Sequence, residues 1–200
     1  MNIPKNQYKP ETLQELSLSE KMKAIGIRQR GDPILKNVCQ LFNLPHQKNI
    51  AKEVIGQLQQ TIDAARKIHN FSKGLGLAAP QIGLPYQATI VMPLNEKPLI
   101  LLNPQIISQS QGTDEQYEGC WSFFDMRGLV PRPLEIEITY QKLDGQEIHS
   151  SFSFGTARLI IHEIDHLQGT LYTTRMKPEQ KLLSYDEYRG KNQSWQYAKT

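Results

Sequence analysis

The spacing of hydrophobic residues changes along this chain, and the changes mark its elements. Residues 1–25 are polar and carry no clear apolar repeat, which predicts a loosely attached extension. Gly31-Asp32-Pro33 is a turn signal. Over 47–69, Val54, Leu58, Ile62, Ala65 and Ile68 recur at steps of three and four, the period of an amphipathic helix, with Gly74 and Gly76 read as its end. Residues 86–92 and 99–107 read as strands, punctuated by Pro93 and Pro98. Leu134, Ile136, Ile138 and Tyr140 alternate with Glu135, Glu137 and Thr139, which predicts a half-buried strand. Asp144-Gly145 is a hairpin signal, with 148–154 returning as the partner strand. A buried helix follows within 157–171, and 181–189 is read as a further helical stretch in a polar C-terminal segment. Antiparallel strands packed around one central buried helix make the fold class α+β, in a single domain. The expected boundaries are an extension at 1–25, the domain proper at 26–177 and a basic segment at 178–200.

The stretch 157–171, ARLIIHEIDHLQGTL, holds the helix that carries the chemistry. At about 100° per residue, His162 and His166 fall roughly 40° apart and one turn apart along the axis. Both imidazoles can therefore reach one metal ion, with Glu163 beside them as a candidate general base. Leu159, Ile160, Ile161, Ile164 and Leu167 spread almost around the helix, so it reads as buried. Buried histidines and a buried carboxylate are costly unless paired or metal-bound, which weighs against two solvated surface histidines. Gly169 is placed to end the helix. Arg158 and Asp165 lie within about 20° of each other, consistent with an ion pair or with Asp165 supporting a ligand.

Composition narrows the class. Two hundred residues, 38% hydrophobic, suit one domain with a sizeable core. No apolar run approaches the roughly 18 residues that span a membrane, and the N-terminus has no apolar secretory core. Cys39 and Cys120 make no disulfide framework and fit a reducing compartment, with a cytoplasmic protein as the expectation. Cys39 reads as structural. A net charge of +3 is too small to argue for sequence-specific nucleic-acid binding. From 175 to 200 there are six basic and three acidic residues, so that stretch holds the whole excess. It reads as a solvated tail, or as a weak electrostatic contact with an anionic partner.

A catalytic site of this kind usually has three protein ligands and one open position. Glu179 or Glu187 would complete a zinc-protease arrangement. The third histidine of HExxHxxGxxH proteases is absent, since Tyr172 stands there. Cys120 is the other candidate, and reads equally as a small buried hydrophobe. Its neighbour Gly119 suits a backbone that approaches a metal closely.

Three strings resemble, in order, the motifs of peptide deformylases. Residues 74–81, GLGLAAPQ, match that family's GxGLAAxQ; residues 118–122, EGCWS, resemble its EGCLS; residues 162–166, HEIDH, match its HExDH. Residues 127–132, RGLVPR, are similar to the segment after the second motif, and the likeness runs from about 27 to 177. The resemblance implies a metal held by Cys120, His162 and His166, with Fe²⁺ first and Zn²⁺, Ni²⁺ or Co²⁺ also suited to the donors. It implies Glu163 as base and proton shuttle, and oxyanion donors from the Gln81 side chain and the Trp121 N–H. Leu75, Gly76 and Glu118 would shape the substrate cleft, with Arg127 at its edge. The implied reaction removes formate from the N-terminal formyl-methionine of new polypeptides, and the implied partners are those nascent chains, with a weak ribosome contact through the basic tail. Trp121 stands where leucine is usual, Phe123-Phe124-Asp125 where an aliphatic-Pro-Gly stretch is usual, and Ile161 where glutamine is common. An alternative reading is a metal-binding relative whose turnover is altered or lost because Trp121 and Phe124 obstruct the cleft. A third is the zinc protease using a downstream glutamate.

Overall fold

The computed structural model describes residues 16–71 and 74–190. Strands β1 (Leu75–Ala78), β2 (Ala88–Met92), β3 (Leu99–Gln109), β6 (Glu135–Gln141) and β7 (Glu147–Ser153) form one antiparallel sheet in the order β1-β2-β3-β6-β7. Strands β4 (Thr113–Cys120), β5 (Phe123–Pro133) and β8 (Leu183–Ser184) form a second, in the order β4-β5-β8. The helices are α1 (Leu18–Ala24), α2 (Lys48–Ile68), α3 (Phe154–Leu167) and α4 (Tyr185–Arg189).

Alternation along β2 explains the layering. Ala88 and Ile90 bury with Val54, Leu58 and Ile62 of α2, while Val91 buries with Ile160, Ile161 and Ile164 of α3. Successive side chains point to opposite faces, so α2 and α3 cover the two faces of the large sheet. Every residue of α3 from Gly155 to Leu167 is buried, as its all-round apolar pattern predicts. Gly169, at φ +70, turns the chain away, and a Cβ there would sit 2.5 Å from the Lys36 carbonyl oxygen. The α+β class and the hairpin at Asp144-Gly145 match the reading of the sequence, with β6 and β7 in register from Glu135↔Ser153 to Gln141↔Glu147.

Several elements differ. Gly74 and Gly76 do not end α2, which stops at Ile68; Gly76 lies inside β1, paired with Val91. Helix α3 begins at Phe154, three residues before Ala157. The expected loose extension is corrected over 18–24, where α1 has a Ser17–Glu20 capping box and a fully buried Met22. Residues 1–15 lie outside the described residues. Among the described residues from 178 to 190, Tyr185–Arg189 is the helical stretch, and β8 and α4 pack on β5. Strands β4 and β5 were not anticipated, because their inward positions include Glu118, Arg127 and Arg132 instead of an apolar alternation.

Candidate metal centre and active site

Two elements converge on the site. Strand β4 carries Cys120 at its end, after a register irregularity between Glu118 and Cys120, and α3 carries His162 and His166. The donor atoms of Cys120, His162 and His166 all lie within 4.8 Å of one another, and all three residues are buried. Cys120 Sγ is 3.1 Å from His166 Nε2. It also accepts from Gln81 Nε2 and from the Ser122 N–H, each at 3.4 Å.

Beneath the histidines lies a balanced ion-pair network. Glu118 accepts from Arg132 Nε and Nη2 at 2.9 and 3.0 Å, from Arg158 Nη1 at 2.7 Å, and contacts His162 Nδ1 at 2.9 Å. With His162 Nδ1–H donated to Glu118, Nε2 is left for an ion. Burial alone would raise the Glu118 carboxyl, but the Arg132 charge and the bonds from His162 and Arg132 hold it well below the usual carboxylate range. Asp165 accepts from Arg132 Nη1 at 2.6 Å and Arg175 Nη2 at 2.7 Å. The expected Arg158–Asp165 pair is corrected: Arg158 binds Glu118 and Asp114 instead. Residues seven apart share a helix face but lie about 10 Å apart along it. Among the described residues, Asp165 is linked to His162 through Arg132 and then Glu118, and Glu118 is the carboxylate that meets His162 Nδ1.

Glu163 is 2% exposed, and its Oε2 has no hydrogen-bond partner among the described residues. Burial pushes its carboxyl up to about 7; His162 opposes that, while Glu118 and Asp165 add to it. A Cβ at Gly76 would lie 2.4 Å from Glu163 Oε1, so the missing side chain of β1 is what lets this carboxylate fit. Gln81 Oε1 accepts from the Ala78 N–H at 2.9 Å, which fixes the amide with Nε2 toward Cys120. Two ligands of one tetrahedral ion lie roughly 3.3–3.8 Å apart, so a donor set this close, with a thiol and two imidazoles buried together, fits a single divalent ion.

A sequence model of the family described as Polypeptide deformylase matches residues 25–182. The chain belongs to the peptide deformylase family. It is a hydrolase of that class, similar to the peptide deformylase of Thermotoga neapolitana (32% identical, over 78% of this chain and 90% of the relative). It is also similar to the chloroplastic peptide deformylase 1A of Solanum lycopersicum (33% identical, over 88% and 70%). The solved Thermotoga maritima peptide deformylase superposes with a TM-score of 0.66 at 29% identity, covering 76% of this chain and 97% of that one. A Met-Ala-Ser-bound peptide deformylase from Acinetobacter baumannii does so with 0.66 at 26% identity, covering 75% and 96%.

In this deformylase the cleft is lined by Leu75, Gly76, Gln81, Gly119, Cys120, Trp121, Arg127, His162 and Glu163, all brought together from motifs far apart in sequence. His166 lies behind them, 1% exposed. Glu118 does not line the cleft; it sits below it, 1% exposed, within the ion-pair network. Trp121 packs against Phe71, Phe124 lies in the same core cluster, and both rings line the same cavity as Cys120 and His162. Glu187 caps α4 and Glu179 is exposed, which removes both from the donor set. Cys39 is buried away from the site against Ala78 and Leu167, and burial pushes its thiol up to about 11. Sequence reading missed Arg132, whose role rests on a contact 33 residues away with Asp165, and it missed His69, Phe71, Tyr185 and Tyr188 of the cleft wall.

Proposed function

We propose that Cys120, His162 and His166 hold one divalent ion, Fe²⁺, and that this site hydrolyses the formyl group from the N-terminal formyl-methionine of nascent polypeptides, releasing formate. The observation that carries this reading is one buried point where a Cys/His/His donor set, an unpartnered Glu163 oxygen and a fixed Gln81 amide meet. When bound, such an ion lowers the pKa of coordinated water toward ~7 and polarises a carbonyl.

The chain's own groups do the rest. Glu163 takes up a proton at its carboxylate and returns it to the leaving amine, a task suited to a carboxyl that titrates near neutrality. Gln81 Nε2–H and the Trp121 N–H donate to the oxygen that gains charge, each worth roughly 10²–10³ in rate. Leu75, Gly76 and Arg127 position the substrate, and Glu118 holds the His162 ring. Ferrous iron is the ion the family resemblance implies; the same donors suit Zn²⁺, Ni²⁺ and Co²⁺.

We place this activity in the cytoplasm, supported by two free cysteines. Among the described residues, no helix is long and apolar enough to cross a membrane. A ribosome contact through the basic tail would be weak, because Arg175 and Lys177 are already paired with Asp165 and Glu115. It would rest on Lys181, Arg189 and the residues beyond.

The test is formate release from formyl-Met-Ala-Ser by protein loaded anaerobically with Fe²⁺ or Ni²⁺, with metal analysis of Cys120→Ala. Formate release, with metal lost in the variant, is expected. Full metal retention in Cys120→Ala would favour another third ligand.

A further inference from the structure

An arc of aromatic rings lines the cleft and takes no part in holding an ion or moving a proton. Phe71 and Trp121 stack with centroids 4.9 Å apart at 26°. Phe124 follows, 5.9 Å from Phe71 and 6.4 Å from Tyr185. His69 meets Phe71, Phe124 and Tyr185 edge-on at 5.0, 5.1 and 5.9 Å. The Arg127 guanidinium sits 4.9 Å over Phe124 and 4.7 Å over Tyr185, and its hydrogen bonds go to the Phe124 and Met126 carbonyls. The rings come from the segment after α2, from the β4–β5 turn and the start of β5, and from α4, and every one of them lines the cavity that holds Cys120, His162 and Glu163.

Two facts set this arc apart from the shared machinery. The family match ends at residue 182, so Tyr185 lies outside it. Trp121 and Phe124 occupy positions where the family resemblance expects leucine and proline. Trp121 and Phe124 are 5% and 4% exposed and form the floor; Phe71 and Tyr185 are only half-buried, leaving ring surface to the cleft. A ring laid against them adds offset or edge contacts beyond simple burial. The Arg127 charge, largely removed from water, disfavours a second cation entering beside it.

We propose that this arc is a substrate subsite that reads the side chains following the formyl-methionine, favouring aromatic residues over small ones and rejecting lysine and arginine. The inference rests on the deformylase reading above. Its test compares kcat/KM for formyl-Met-Xaa-Ser and formyl-Met-Ala-Xaa peptides, with Xaa as Phe, Ala or Lys, in the metal-loaded enzyme. At one of the two positions Phe should exceed Ala by roughly tenfold, and Lys should fall below Ala. In Tyr185→Ala and Phe71→Ala, tested separately so that one can stand if the other fails to fold, the Phe-to-Ala ratio should shrink toward unity. A global loss of folding or metal would lower all peptides together and leave that ratio unchanged. Equal rates for Phe, Ala and Lys at both positions in the wild type would overturn the subsite while leaving the deformylase reading intact. An unchanged ratio in both variants, each shown to be folded and to hold its metal, would also overturn it. No formate from any peptide would overturn the reading beneath it.

Discussion

Gly76→Ala is the sharpest perturbation this structure offers, because it leaves every chemical group in place and moves one. The added methyl would meet Glu163 Oε1 at 2.4 Å and its Cδ and Cγ at 2.6 Å. Real Cβ contacts essentially never fall under 3.0 Å, so the carboxylate must retreat by at least 0.6 Å. It has little room to do so: Glu163 is 2% exposed, and its Cγ is as close as its carboxyl carbon. A displacement of about 1 Å from productive geometry costs roughly 10²-fold. Overpacking of this kind costs about 1–3 kcal/mol of stability, and alanine is otherwise tolerated in a strand paired as Gly76↔Val91. The expected result is a folded protein that binds about one metal per chain and loses roughly 10²-fold in kcat. Formate release would be followed alongside circular dichroism and metal analysis. A Gly76→Ala enzyme with wild-type kcat and full metal content would refute the role given to Glu163 and its position.

Other expectations follow from the network and the core. Glu118→Gln removes the charge that Arg132, Arg158 and His162 share; thermal or denaturant unfolding should show a loss of about 3–5 kcal/mol, and competition with a chelator a roughly 10–100-fold weaker metal site. The pH dependence has a definite sign. The folded Glu118 carboxyl lies below its ordinary value of 4.5, so its contribution is present above about that pH and is lost as pH falls toward the folded value. The gap in unfolding free energy between wild type and Glu118→Gln should therefore narrow below about pH 4.5; a gap that widens there would contradict the assignment. Cys39, buried and with its thiol pushed up to about 11, should resist alkylation in the native protein at mildly alkaline pH. Mass spectrometry showing Cys39 modified as fast as in the unfolded chain would count against that packing.

The sequence carried some of this and not the rest, for physical reasons. His162 and His166 were legible because helical spacing is local: residues four apart must share a face. The β6–β7 hairpin was legible because Ile136 and Ile138 alternate with charged residues and Asp144-Gly145 marks the turn. Strands β4 and β5 were not, because their inward faces carry Glu118, Arg127 and Arg132, charges that become stable inside only through partners distant in sequence. The same blindness produced the Arg158–Asp165 pairing: shared helical phase was visible, but the competing partners Glu118, Asp114, Arg132 and Arg175 were not. Helix α1 was hidden because one buried Met22 sets no period. Tyr185 looked like part of a polar tail because its burial comes from His69, Phe124 and Arg127, none of them near in sequence.

The most direct measurement is the rate of formate release from formyl-Met-Ala-Ser by wild type and Glu163→Gln, both loaded anaerobically with Fe²⁺ and both shown to hold one ion per chain. The wild type should turn over, and Glu163→Gln should keep its ion while losing at least about 10³-fold in kcat. A wild type that holds its ion but releases no formate, or a Glu163→Gln enzyme that turns over at the wild-type rate, would contradict the account.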